Sequence, residues 1–211
     1  MFRAFSEAAE LPVTFGSIVR LKTVKSNRYL FSLPAQWSEG RQVVTASSNR
    51  VDLGTYWQVV SDVESLVRSE ISCGSSIHLQ HVNTKNYLTL TSTKSDISGH
   101  VQVIGVASSQ SHSENTSAGA PAGSLLRVRC KEGEIWRRGD AIQISDSAGA
   151  LVGLTGVEYS QRNCPNCVIN GDMEISHSPR FSDFWEVQDG VIFEMSEISP
   201  EVDDEGAHDE L

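Results

Sequence analysis

The chain has 211 residues, 39% of them hydrophobic, and a formal net charge of −10. That length can bury a substantial core without staples, and no run approaches the ~18–20 apolar residues of a membrane-spanning helix. Eight acids and no Lys or Arg fall between Glu194 and Leu211, leaving 19 acids against 17 bases elsewhere. A nearly neutral body carries no basic field for nucleic acid, so neither nucleic-acid binding nor membrane insertion is expected.

Residues 1–12 read as an N-terminal extension without an apolar stretch, so a signal peptide is expected to have been removed. Three similar segments follow, "FGSIVRLKTVKSNRYLFS", "CGSSIHLQHVNTKNYLTL" and "RGDAIQISDSAGALVGLT". Each sets a Gly (Gly16, Gly74, Gly139) before a period-two apolar pair (Val19/Leu21, Ile77/Leu79, Ile142/Ile144). A polar turn and a hydrophobic doublet come next (Tyr29-Leu30, Tyr87-Leu88, Leu151-Val152). Alternation of this kind marks strands with one buried face, and the turn residues have hairpin composition. The second halves also correspond: "GRQVVTA", "GHVQVIG" and "GDMEISH" start at Gly40, Gly99 and Gly171. Tyr56-Trp57-Gln58-Val59 and Phe184-Trp185-Glu186-Val187 close two copies, and Leu125-Leu126-Arg127-Val128 stands there in the other. Three copies of four short strands are too few for a typical propeller. A three-fold closed β-structure, with Trp57, Leu126 and Trp185 as core plugs, accounts for the count.

The stretch 107–123, "ASSQSHSENTSAGAPAG", reads as a mobile loop inside the second copy. It holds the sequon Asn115-Thr116-Ser117, a candidate glycosylation site. Residues 194–211 read as a flexible acidic tail. It ends in His208-Asp209-Glu210-Leu211, the endoplasmic-reticulum retrieval word read by a lumenal receptor. A lumenal setting permits disulfides.

The Gly-x-x-[Ile/Val]-x-Leu openings, the Val82-Asn83-Thr84 turn and the Tyr-Trp closures resemble the MIR domain, a β-trefoil. Roughly Val13–Glu197, best in "SCGSSIHLQHVNTKNYL" and "DGVIFEMSE", resembles the stromal cell-derived factor 2 family. The resemblance implies an all-β, single-domain trefoil over 13–193, with MIR repeats at about 13–68, 69–131 and 132–193. It also implies a non-enzymatic lumenal protein of protein quality control and the unfolded protein response. Its implied partners are a J-domain co-chaperone, the BiP-type chaperone it serves, and misfolding or O-mannosylated clients. The alternative is a lectin-like module for mannose-containing glycans. The family's Leu-His-Ser-His-like segment falls at Leu30-Phe31-Ser32-Leu33 and Leu88-Thr89-Leu90-Thr91, and neither keeps its histidines.

In a trefoil, Cys73 and Cys130 lie on neighbouring strands of one repeat, and the family places cysteines at both points, so a Cys73–Cys130 bridge is expected. Cys164-Pro165-Asn166-Cys167 permits a local disulfide or idle thiol pair, a redox centre, or half a zinc site. The "VINGDMEIS" that follows reads as strand, Asn170-Gly171 turn and strand, with no helix N-terminus to stabilise a thiolate, which favours the local Cys164–Cys167 pair. His78 and His81, three apart on a strand, are not a metal pair. No catalytic residue, metal or cofactor is expected. The exposed turns carrying Asn27, Arg28, Asn83 and Lys85 are the candidate partner-binding residues.

Overall fold

The computed structural model describes residues 11–38, 41–49, 53–108, 119–165 and 167–193. Its twelve strands are β1 (Ile18–Thr23), β2 (Tyr29–Ser38), β3 (Arg41–Ser47), β4 (Trp57–Val60), β5 (Ser76–His81) and β6 (Tyr87–Lys94). They continue with β7 (Val101–Val106), β8 (Leu126–Cys130), β9 (Ile142–Ser145), β10 (Leu151–Glu158), β11 (Met173–Ser178) and β12 (Trp185–Val191). Each alternating apolar pair named from the sequence lies on the first strand of a four-strand copy, and all six residues are essentially fully buried.

The pairing closes on itself twice. Strands β1, β12, β9, β8, β5 and β4 pair antiparallel in that order, and β4 returns to β1, giving a six-stranded barrel. The hairpins β2–β3, β6–β7 and β10–β11 close one end, because β3 pairs with β7, β7 with β11 and β11 with β3. The registers in this cap repeat by rotation: Val43 lies opposite Ile104, Gln102 opposite Ser176, and Glu174 opposite Thr45. At the other end the Val13 amide donates to the Trp136 carbonyl, Trp136 to Ile71, and Ile71 back to Val13. A closed barrel, a triangular hairpin cap and this ring define a β-trefoil, and closure leaves few strand edges unpaired.

Trp57 and Trp185 are fully buried and donate their indole N–H to Leu30 O and Val152 O, each at 3.0 Å. Leu126 fills the corresponding place in the second copy and is 1% exposed. These anchors tie the barrel to the hydrophobic doublet that opens each hairpin. A second buried layer, Val13, Ile71 and Trp136, lies beneath and joins the same core. The turn between the first two strands of each copy needs one residue in the left-handed region. Asn27 (φ 55°), Lys85 (φ 61°) and Gly149 (φ 90°) supply it, and only Gly adopts it without steric cost.

One local reading is corrected. Val168 and Ile169 are turn residues, not a strand, and β10 and β11 are separated by a loop running from Tyr159 to Asp172. The Tyr159 amide donates to Asp172 O and the Gly171 amide to Tyr159 O, so the loop closes at its base. Its interior follows local turns, and the apolar Ile169 folds inward to 3% exposure.

Replacing Trp185 by Ala removes both the plug and a buried hydrogen bond, and is expected to cost ~3–5 kcal/mol. The urea midpoint should fall accordingly, whereas Leu125→Ala, at the exposed position just before β8, should leave it nearly unchanged.

Candidate functional site

The hairpin cap carries a small apolar cluster of its own. Val43, Tyr159 and Ile169 are buried there, with Leu33, Ala35, Trp37, Ile97, Cys164 and Cys167 packed around them. Trp37, near the end of the long strand β2, sets its ring 5.5 Å from that of Tyr159 at an interplanar angle of 39°. Beside the two rings lies a cavity of about 310 Å³ to which every hairpin contributes: Trp37, then Asp96 and Gln102, then Tyr159, Cys164 and Pro165.

Gln102, Val43 and Glu174 hold the same register position in the three cap strands. The third is a carboxylate, 3% exposed, whose Oε2 has no hydrogen-bond partner among the described residues. Burial pushes the Tyr159 phenol well above its ordinary range, and the Glu174 and Asp172 carboxylates push it further by disfavouring a second negative charge. Asp172 Oδ2 accepts from Thr45 Oγ1 at 2.8 Å.

The disulfides fall in two different settings. Cys73–Cys130 joins the segment before β5 to the end of β8, with Cα atoms 5.5 Å apart. Cys164–Cys167 closes a turn in the β10–β11 loop, where the Cys164 amide donates to Ser160 O and the Cys167 amide to Cys164 O. Asn163 braces this loop, accepting from the Ser160 amide at 2.8 Å and donating to Glu158 O at 2.9 Å. Among the described residues the nearest regular structure is strand, and no helix N-terminus faces either sulfur.

The partner-binding candidates separate by environment. Asn27, Asn83 and Lys85 are exposed on their turns. Arg28 is turned into the molecule: it donates to Gly171 O at 2.8 Å and pairs with Glu158 at 3.0 Å, linking the first copy to the third. Both Leu-His-Ser-His-equivalent segments start inside the fold, with Leu30, Phe31, Ser32, Leu88 and Thr89 buried. Ser32 Oγ is committed to Val43 O, and Thr89 Oγ1 to Tyr87 O.

His78 and His81 are structural. His78 Nδ1 lies 2.9 Å from Ser124 Oγ and its Nε2 2.7 Å from Asp62 Oδ1. His81 lies between Thr84 Oγ1 and Gly54 O, against Trp57. No cluster of three His, Cys, Asp or Glu able to hold a metal occurs among the described residues. Arg20 is 7% exposed, donates from Nε to Thr55 Oγ1, pairs with Asp189, and lies over the rings of Tyr29 and Tyr56. Buried paired cations of this kind hold elements together. Asn115, the acidic tail and His208, Asp209, Glu210 and Leu211 lie outside the described residues, as do residues 1–10.

Sequence reasoning left out Trp37, Gln102 and Glu174. The only available signal was the shared offset of the last two from Gly99 and Gly171; nothing local marks Trp37.

Fold and cap together define a β-trefoil with an elaborated hairpin cap. No family model matches the chain. Its sequence is similar to stromal cell-derived factor 2 of Bos taurus, 26% identical over 209 residues, covering 94% of this chain and 89% of that protein. The solved SDF2-like protein from Arabidopsis thaliana superposes with a TM-score of 0.75 at 19% identity, over 89% of this chain and all of that one. The S. cerevisiae protein O-mannosyltransferase complex bound to the sugar donor contains a similar fold, with a TM-score of 0.69 at 14% identity. That likeness covers 93% of this chain and 28% of that one. The resemblance to the stromal cell-derived factor 2 family read from the sequence therefore holds along nearly the whole chain.

Two outcomes are expected. Cys73 and Cys130 are 57 positions apart, so replacing both by Ser should cost roughly 4 kcal/mol in the loop-entropy account. The Cys164→Ser/Cys167→Ser pair, closing a far shorter loop, should cost about half that in the same account, read as paired urea midpoints. The second outcome concerns alkaline pH. The phenol of Tyr159 is harder to ionise folded than unfolded, so its stabilising contribution is complete below about pH 10 and is lost as pH rises beyond that. Unfolding free energy should therefore fall more steeply above pH 10 in the native chain than in Tyr159→Phe.

Proposed function

We propose that this chain is a non-enzymatic accessory protein of chaperone-assisted folding in the endoplasmic-reticulum lumen. It acts by binding a J-domain co-chaperone of a BiP-type chaperone and by holding misfolding clients. The observation that carries this reading is the similarity to stromal cell-derived factor 2 along almost the entire trefoil. Two disulfides suit an oxidising compartment, and the His-Asp-Glu-Leu word is that of a retrieved lumenal protein. No helix among the described residues is long and apolar enough to cross a membrane.

Two surface features support binding. Val63, Leu66, Val67 and Phe193 are exposed apolar side chains, and Val67 and Phe193 both border Gly16. An apolar group of this kind suits unfolded segments. The exposed turn residues Asn27, Asn83 and Lys85 offer a polar surface at equivalent points of two copies. Lys85 is the charge to reverse, because Arg28 is occupied by Glu158 and its reversal would disturb the fold.

The experiment is an affinity measurement against the lumenal J-domain protein. Lys85→Glu combined with Lys25→Glu, both exposed, should weaken binding at least fivefold with an unchanged urea midpoint. Unaltered affinity would remove these turns from the interface. Failure of the unmodified chain to bind any J-domain protein would remove the reading itself. The second reading, a lectin-like module, is favoured by one observation only, the cavity in the hairpin cap.

A further inference from the structure

The cavity beside Trp37 is formed by three hairpins that are far apart in sequence, so it exists only in the assembled trefoil. Its walls are held rather than loose. Trp37 and Tyr159 pack on Val43 and Ile169, and the loop bearing Tyr159 is fixed by the Cys164–Cys167 bridge and by Asn163. None of the eight residues at the family's Leu-His-Ser-His position lines it.

The polar groups on the walls are unspent. The Gln102 side-chain amide, the Tyr159 hydroxyl, the Trp37 indole N–H and the Asp96 carboxylate make no hydrogen bond or ion pair to any described residue. Behind them the buried Glu174 Oε2 is likewise unpartnered. Asp96 is exposed and Trp37 and Gln102 are half-buried, so these groups are hydrated and open to a ligand. Of the set, only the Glu174 carboxylate oxygen is a buried orphan of the kind a native interior seldom leaves.

The chemistry of this set discriminates among ligands. An aliphatic side chain would cover these donors and acceptors without replacing their water, at a penalty for each. A cationic side chain would suit the rings and the carboxylates. It would take Asp96, the Gln102 amide oxygen and the Tyr159 oxygen as acceptors and leave the donor capacity of the amide, the phenol and the Trp37 indole N–H unused. A neutral sugar ring has an apolar C–H face to lie on Trp37 and a rim of hydroxyls that both donate and accept. That rim matches the Gln102 amide, the Tyr159 phenol and Asp96 together. The volume, about 310 Å³, is at the lower end for small-molecule pockets and accommodates one or two hexose units.

We infer that the hairpin cap is a saccharide-binding site for neutral hexoses, with Trp37 as stacking platform and Gln102, Tyr159 and Asp96 as hydroxyl partners. The inference rests on the glycan reading and not on co-chaperone binding. The Cys164–Cys167 bridge, in the cavity wall, pre-shapes the site, which gives an otherwise ordinary loop disulfide a role in recognition.

The test is a titration of the full chain with methyl α-D-mannoside and an α-mannosyl-threonine peptide, followed by amide and indole chemical shifts and by calorimetry. Shifts should concentrate at Trp37, Gln102 and Tyr159. Trp37→Ala and Gln102→Leu should each lower affinity about tenfold or more, while Trp37→Tyr, which keeps an aromatic face, stays within about threefold. Gln102→Leu and Trp37→Tyr should retain the native urea midpoint. Trp37→Ala, which takes a ring from the cap cluster, should lower it and is assayed where the variant is fully folded. Co-chaperone affinity is read on the same variants, and its preservation alongside lost sugar binding supports a separate site. The inference is overturned if neither mannoside shifts these residues in the native chain, if Trp37→Ala binds sugar as well as the native chain, or if only a lysine-rich peptide occupies the cavity.

Discussion

Val13, Ile71 and Trp136 pass a hydrogen bond around a closed ring, and the rest of the molecule depends on the closure that this ring expresses. A single four-strand copy has one apolar face and two open edges, and cannot bury either alone. Three copies joined head to tail satisfy each copy's edge with its neighbour. The apolar pairs of β1, β5 and β9 then meet inside one barrel, and Trp57, Leu126 and Trp185 seal it against the hairpins. Cap registers that repeat by rotation follow from the same closure, because each third strand has to pair with both of the others.

Closure constrains the backbone but leaves the cap side chains free to differ. Val43, Gln102 and Glu174 stand at one register position, yet one is apolar, one an amide and one an acid. The lengthened β10–β11 loop breaks the symmetry further by bringing Tyr159 and the Cys164–Cys167 turn over the cap, against Trp37. The asymmetric cavity is therefore a product of a symmetric frame. Its rigidity is borrowed from the barrel beneath it, where preorganisation costs the site nothing further. Tyr159 shows the consequence in its electrostatics, with a phenol held neutral between burial and two nearby carboxylates.

The two disulfides divide along the same line. Cys73–Cys130 ties the start of the second copy to its last strand and acts on the barrel. Cys164–Cys167 lies in the departure from symmetry and acts on one loop. Arg28 makes a comparable tie without sulfur, carrying the first copy's turn onto Gly171 and Glu158 of the third. That is why a residue that reads as an exposed turn cation is a structural one.

By itself the sequence determined the strand class, the three-fold count and the principal plugs. Period-two alternation, turn chemistry and recurring Gly, Trp and Leu positions are local signals that survive in every copy. It also marked the Cys73–Cys130 pair, through the resemblance to a family with cysteines at both points. Only the tertiary structure decided that Val168-Ile169 folds as a turn, that Arg28 faces inward, and that Trp136 joins the core. It alone brought Trp37, Gln102, Tyr159 and Glu174 to one end of the molecule. Those residues come from three hairpins separated by tens of positions, and their meeting depends on the rotation that closes the barrel. No local pattern encodes a rotation that exists only once all three copies are assembled.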